Sequence, residues 1–157
     1  MELRKATRQD VDYVVDSVLA MLQEMASHGG DALGLEEQIR SALEVRFSDS
    51  LEKEDHLFLI AGPEGEAASP AGLIEASIIP REEFFRPTSV LHIHSLYVQP
   101  SHRGQGLGER LLKAALEWGK RKGCLEAELN VLVGNPARRL YESLGFEAVE
   151  LRMRLGL

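Results

Sequence analysis

The stretch "HRGQGLGERLL", His102 to Leu112, constrains this chain more than any other. It sets three glycines within five residues directly ahead of a helical pattern, although glycine is among the weakest helix formers. A helix start carries unpaired backbone N–H groups and a partial positive charge. Glycines there remove side chains, so the oxygens of an anion can approach those N–H groups closely. Two readings follow. One is a tight strand-to-helix turn, for which a single glycine suffices. The other is a cradle for a phosphate-bearing ligand, which also accounts for the adjacent Arg103. Beyond the glycines, Leu107, Leu111, Ala115 and Trp118 fall on one face and Glu109, Lys113 and Glu117 on the other, so the helix itself is ordinarily amphipathic.

The charge distribution favours the cradle. The formal charge is -7 overall. Residues 1–100 hold eight Lys/Arg against eighteen Asp/Glu, residues 101–122 six against two, and residues 123–157 four against five. The one basic segment is therefore the glycine-rich one. The acidic balance argues against general nucleic-acid binding and weakly favours cationic partners.

The 157 residues suit one domain with a substantial core. No apolar run approaches the roughly 18 residues of a membrane span, and "MELRKATRQD" lacks the apolar centre of a signal peptide. A single cysteine, Cys124, cannot form an internal disulfide, which suits a reducing cytoplasm. These features point to a cytoplasmic protein with no membrane partner. Cys124 has no basic neighbour to lower its pKa and reads as a small core residue.

Alternating elements run along the chain. "ELRKA" predicts a first strand, and Thr7 with Asp10 a capping pair before a helix built on Val11, Val14, Val15, Val18, Leu19 and Leu22. "SHGGDALG" breaks that pattern and "LEEQIRSALEVRF" resumes it. "DHLFLIAG" and "AGLIEASII" predict two strands around the turn "PEGEAASP". "REEFFRPTS" leads to a third, "VLHIHSLYV" (90–98). The glycine-led helix (104–121), a strand "CLEAELNVLV" (124–133), a short helix "PARRLYESL" (136–144) and closing strands in "FEAVELRMRL" complete one α/β domain.

Nucleotide motifs fail at named positions. A Walker P-loop needs Lys-Ser/Thr after its last glycine, where Glu109-Arg110 stand, and the dinucleotide fingerprint needs glycine at 109. The pattern R/Q-x-x-G-x-G/A is met, by Arg103-Gly104-Gln105-Gly106-Leu107-Gly108. It resembles the acyl-CoA site of the GNAT superfamily of N-acetyltransferases. Its position after "LYVQP", the later "LYESLGF" (140–146) and the order of the N-terminal elements extend the resemblance over nearly the whole chain.

The resemblance implies a fold and an activity. The fold is a single mixed, mostly antiparallel sheet flanked by helices, with the fourth and fifth strands splayed. The pantetheine arm of acetyl-CoA enters the gap as an extra strand would, here along Leu96, Tyr97 and Val98. The pyrophosphate rests on Gly104, Gln105, Gly106, Leu107, Gly108 and Glu109, with Arg103 beside it. The activity is acetyl transfer to a primary amine by direct attack. Tyr141 matches the family's general acid. A phenol with a pKa near 10 holds its proton yet yields it to a thiolate. Tyr141 also reads as an aromatic packed with Ala137 and Leu144.

The base is open. His92 and His94 lie two apart on a strand, on one face, and an imidazole accepts a proton at neutral pH. "HIHSLYV" resembles the strand of serotonin N-acetyltransferases whose histidine pair relays protons through water. His92 also stands where the histone-acetylating branch places a Glu. The same histidines read as hydrogen-bonded sheet residues. A metal site lacks a third ligand at a supporting spacing, so no metal is expected. Glu75 and water are the other candidate proton acceptors, because the fifth strand offers Asn130 where some family members carry a Glu. Asn135, a candidate pantetheine contact, stands six residues before Tyr141, one fewer than is common in the family.

The acceptor is sought around "SHGGDALGLEE" and "PREEFFRPTS". There Asp31, Glu36, Glu37, Glu82 and Glu83 form either an acidic rim for a protonated amine or a solvated surface, with Phe84 and Phe85 as walls. Small-molecule and protein amines both remain open as acceptors, and so does a homodimer. A non-catalytic domain that binds CoA to regulate is the alternative; it would need neither Tyr141 nor the histidine pair.

Overall fold

The computed structural model describes residues 1–63 and 69–157. Most of the turn "PEGEAASP", residues 64–68, lies outside them. Strand β1 (Glu2–Lys5) is followed by a 3₁₀ turn (Arg8–Asp10) and helix α1 (Val11–Ser27). The expected cap forms: the Asp10 carboxylate accepts the Thr7 N–H at 2.7 Å and the Arg4 guanidinium at 2.6 Å. Those contacts, led by Arg4, hold the Asp10 carboxyl down at about 2. Helix α2 (Glu36–Ser50), strands β2 (His56–Gly62), β3 (Gly72–Pro80) and β4 (Ser89–Val98), helix α3 (Leu107–Arg121), strand β5 (Ala127–Leu129) and helix α4 (Arg138–Ser143) complete the order.

The five strands form one sheet in chain order. The β1–β2, β2–β3 and β3–β4 pairs are antiparallel and β4–β5 is parallel. This is the mixed, mostly antiparallel sheet expected. Helix α3 covers one face, where Leu107, Leu111, Leu112, Ala115 and Trp118 meet Ile74, Ala76, Leu91 and Ile93. The fit is close at Gly119, where an added Cβ would lie 2.7 Å from Leu91. Helices α1 and α2 cover the other face, where Val15, Val18 and Phe47 meet Phe58, Ile60 and Leu73. Cys124 is buried, and burial pushes its thiol up, as a core residue requires.

Three expectations are corrected. The strand expected over 124–133 pairs only at Ala127–Leu129. The closing strands expected in "FEAVELRMRL" do not form among the described residues, and 147–157 lie exposed without ladder bonds. The helix expected to begin at 104 begins at Leu107, because Gly104 and Gly106 take left-handed conformations (φ 74° and 75°) ahead of it.

A bulge in β4 explains the first correction and positions the cleft. Ala76 faces Ile93 while Glu75 faces Ser95, so His94 is an extra residue in the ladder. A bulge bends its strand and ends regular pairing. The β5 ladder stops at Ile93, immediately before it. From there β4 and the chain after β5 part company.

Candidate active site

The parted strands open a cleft of about 680 Å³. Its walls are Ser95 to Val98 of β4 and Leu129 to Leu132, at and just after the end of β5, with Asn135, Leu140 and Tyr141 beyond. At one end stands the start of α3. Gly106 caps that helix without a side-chain hydrogen bond, so its first N–H groups keep no side-chain partner. A Cβ placed on Gly104 or Gly106 would meet nothing within 4 Å. The space above those N–H groups is therefore open to an anion's oxygens, and the residues present fit the pyrophosphate of a CoA thioester.

Of the expected cofactor contacts, Leu96, Tyr97, Val98, Arg103, Gly104, Gly106, Leu107, Gly108, Glu109 and Asn135 line this one cleft. Gln105 does not; its amide lies 3.4 Å from the Ser101 carbonyl. Two others hold partners the sequence could not reveal. Arg103 Nε donates to the Val98 carbonyl at 2.8 Å and its Nη2 to Glu24 at 2.6 Å, with the guanidinium 5.7 Å from the Tyr97 ring centre. The Val98 carbonyl expected to be free is therefore occupied. Asn135 Oδ1 accepts the Ala137 N–H at 2.9 Å and shapes the turn into α4.

The candidate acid and base meet in the same cleft. Tyr141 packs edge-on to Phe146, 6.0 Å between centres, and burial raises its phenol pKa. His92 Nδ1 lies 3.1 Å from Glu128 Oε1, and the other Glu128 oxygen lies 3.3 Å from Arg81. A carboxylate at Nδ1 fixes that nitrogen as the N–H, leaving Nε2 to accept a proton. The His94 ring sits 4.6 Å from that of His92, and its Nε2 shares a hydrogen bond with Ser77 Oγ at 2.7 Å. Partial burial, then the nearby charges of His92, Arg46 and His56, push the His94 imidazole down to about 4.

Glu128 is a candidate site residue, beside His92, that the sequence pattern did not single out. Asn130, two residues on, also lines the cleft. The parallel register that sets Glu128 opposite His92 is a tertiary fact; the only prior signal was the Glu126–Glu128 alternation. Met21, Glu24 and Met25 of α1 line the cleft as well. Glu75, the alternative base, lies elsewhere: 2% exposed beneath the helices, it is held by Arg46 at 2.8 Å and Ser95 at 3.1 Å. The expected acidic rim is partly cancelled, Asp31 pairing with Arg154 at 3.0 Å and Glu36 with Arg40 at 3.0 Å. Phe84 and Phe85 are exposed and touch each other, 4.7 Å between centres.

The family model described as "Acetyltransferase (GNAT) family" matches residues 19–146, which include the glycine cradle and the open β4–β5 fork. The chain belongs to the GNAT acetyltransferases. Among similar GNAT proteins is a glucosamine 6-phosphate N-acetyltransferase of Trypanosoma brucei brucei, 38% identical over 91 residues, which are 56% of this chain and 60% of that enzyme. An aminoglycoside N(6')-acetyltransferase type 1 of Klebsiella aerogenes is 36% identical over 81 residues, 52% of this chain and 51% of that one. The chain thus aligns with little more than half the length of these relatives. A predicted acetyltransferase of Clostridium acetobutylicum, crystallised with acetyl-CoA, shares the fold at a TM-score of 0.77 and 18% identity over 99% of this chain and 95% of that one. Among the described residues, no helix of this GNAT domain is long and apolar enough to cross a membrane.

Proposed function

We propose that this chain transfers an acetyl group from acetyl-CoA to a primary amine by direct attack. The observation that carries the reading is that one cleft holds an anion cradle, a carboxylate-oriented histidine and a partly buried tyrosine. Acetyl-CoA supplies the activated acetyl thioester. The α3 N–H groups and the glycine turn would hold its phosphates, and the edge of β4 from Ser95 to Tyr97 would align the pantetheine arm. Release of Arg103 from Glu24 provides a cation for those phosphates.

His92, oriented through Nδ1 by Glu128, takes the amine's proton at Nε2, directly or through water. His94 stays neutral at working pH and keeps the pair from carrying two charges. Tyr141 holds at its hydroxyl the proton that a departing thiolate requires. The acceptor we favour is a small hydroxylated amine, because the relatives named above act on amino sugars.

The test joins binding to turnover. Acetyl-CoA is expected to raise the melting temperature, as a ligand of the native state must, and Gly106→Glu to abolish that response. A thiol-release assay over a panel of primary amines should then give turnover for amino sugars. An equal response to ATP, or an undiminished one in Gly106→Glu, overturns the cofactor reading. Binding without turnover for any amine leaves a regulatory CoA-binding domain.

A further inference from the structure

We propose that Arg81 is a positioning residue for the base: its guanidinium holds Glu128 so that Glu128 presents the His92 imidazole with Nε2 bare. This rests on the reading of His92 as the proton acceptor in acetyl transfer. Arg81 directly follows β3, and β4 lies between it and the carboxylates it meets, Glu126 just before β5 and Glu128 within β5. There Nη2 donates to Glu128 Oε2 at 3.3 Å and Nη1 donates to Glu126 Oε2 at 3.2 Å. The other Glu128 oxygen lies 3.1 Å from His92 Nδ1, the two residues being opposite one another in the parallel ladder. One carboxylate is thus held at both oxygens, by a cation on one and an imidazole on the other.

Without Arg81 these carboxylates are poorly fixed. Glu126 and Glu128 are 54% and 44% exposed at their side chains, and an open carboxylate turns among several rotamers. They stand two residues apart on one face, where like charges repel. A single cation between them removes the repulsion and leaves Glu128 one orientation that satisfies both of its neighbours. The anchor is itself well placed. The Arg81 N–H donates to the Thr88 carbonyl at 2.7 Å and closes the neck of the β3–β4 loop. In a neutral imidazole, the hydrogen bond made by one nitrogen decides which nitrogen keeps the proton. If Glu128 turns away, Nδ1 loses its acceptor and the proton spreads over both nitrogens. Part of the population then offers an amine an N–H where a lone pair is required. Exposed ion pairs stabilise a fold little, so the loss of Arg81 is expected to show in the chemistry and hardly in the melting temperature.

Long-range nitrogen NMR of the imidazole rings at about pH 8, above the ordinary imidazole value, reads the tautomer without substrate. The His92 signal is assigned by its loss in His92→Gln. The wild-type ring is expected to carry its proton at Nδ1. Arg81→Gln should lose that single-tautomer pattern and lower kcat on the order of tenfold, with KM for acetyl-CoA unchanged; removing a partner that orients a metal-bound histidine costs roughly 10–100-fold. Arg81→Lys keeps a cation beside the two carboxylates and should recover most of both signals. A wild-type ring protonated at Nε2 overturns the proposal, and so does an unchanged tautomer in Arg81→Gln, whatever the turnover. A Lys variant no better than the Gln variant overturns it too, because charge is then not what holds Glu128. A mixed tautomer with unchanged kcat overturns His92 as the base, and with it the reading on which the proposal rests.

Discussion

The two faces of the one sheet are filled in different ways. Against α3, β3 and β4 present Ile74, Ala76, Leu91 and Ile93, and the helix answers with Leu111, Leu112 and Ala115, all hydrocarbon. Against α1 and α2 the same strands present Glu75, Ser77 and Ser95, buried among Phe58, Leu73 and Phe47. Buried polar groups stabilise little unless every partner is supplied. Here Arg46 and Ser95 both donate to Glu75, while Ser77 partners His94. The hydrocarbon face fixes where the strands lie; the polar face holds its buried groups in a hydrogen-bonded network beside the cleft wall at Ser95.

If that division holds, substitutions on either side should separate turnover from stability. The largest effect is expected at Tyr141→Phe, which removes one proton and little surface. Turnover should fall about 10²–10⁴-fold, with the melting temperature and the acetyl-CoA response nearly unchanged. Unchanged turnover, with chemistry rate-limiting, would make Tyr141 a packing residue. On the hydrocarbon face, Leu111→Ala should cost about 2–5 kcal/mol by denaturant unfolding, since Leu111 is fully buried. The protein that remains folded should keep its turnover per molecule. A specific loss of turnover in the folded fraction would break the comparison.

The smallest effect concerns pH. His94 is neutral in the fold, its value lowered from 6.5 to about 4, so the unfolded chain binds this proton first as pH falls. Stability should therefore be full above the unfolded value and decline as pH drops from about 6.5 to about 4, with no further His94 contribution below. With part of its ring open to water, the loss should be on the order of 1 kcal/mol. His94→Gln should flatten that limb of a melting-temperature profile. Asp10 acts in a separate, lower window, its contribution lost as pH falls toward about 2. An unaltered limb in His94→Gln would assign the acid sensitivity elsewhere.

Sequence periodicity located the elements wherever one face is buried. β2, β3, β4 and α3 lie within a few residues of their expected bounds because "HLFLIAG", "GLIEASII" and the Leu107–Leu111–Ala115–Trp118 spacing each contact a core. Alternation names a face and is silent on partners. That is why "CLEAELNVLV" and "FEAVELRMRL" read as strands although the first pairs over three residues and the second over none. The glycine cradle was legible because it is contiguous in the chain and local in its physics. The Glu128–His92 contact and the Arg103–Val98 bond were not, since each depends on how strands meet rather than on spacing within one.

The extra residue in β4 has a consequence for anyone comparing strands position by position. Strand side chains are counted by parity, and His94 resets the count. Ile93 and Leu96 face the same helix although three positions separate them, and Ser95 takes the side that unbroken parity would give to Leu96. Aligned without a gap to a relative with a regular strand, Ser95 to Val98 would each be matched to a residue from the opposite side of the sheet. Correct indexing of this strand requires a one-residue offset placed at His94, and every residue-by-residue inference about the cleft wall depends on that offset.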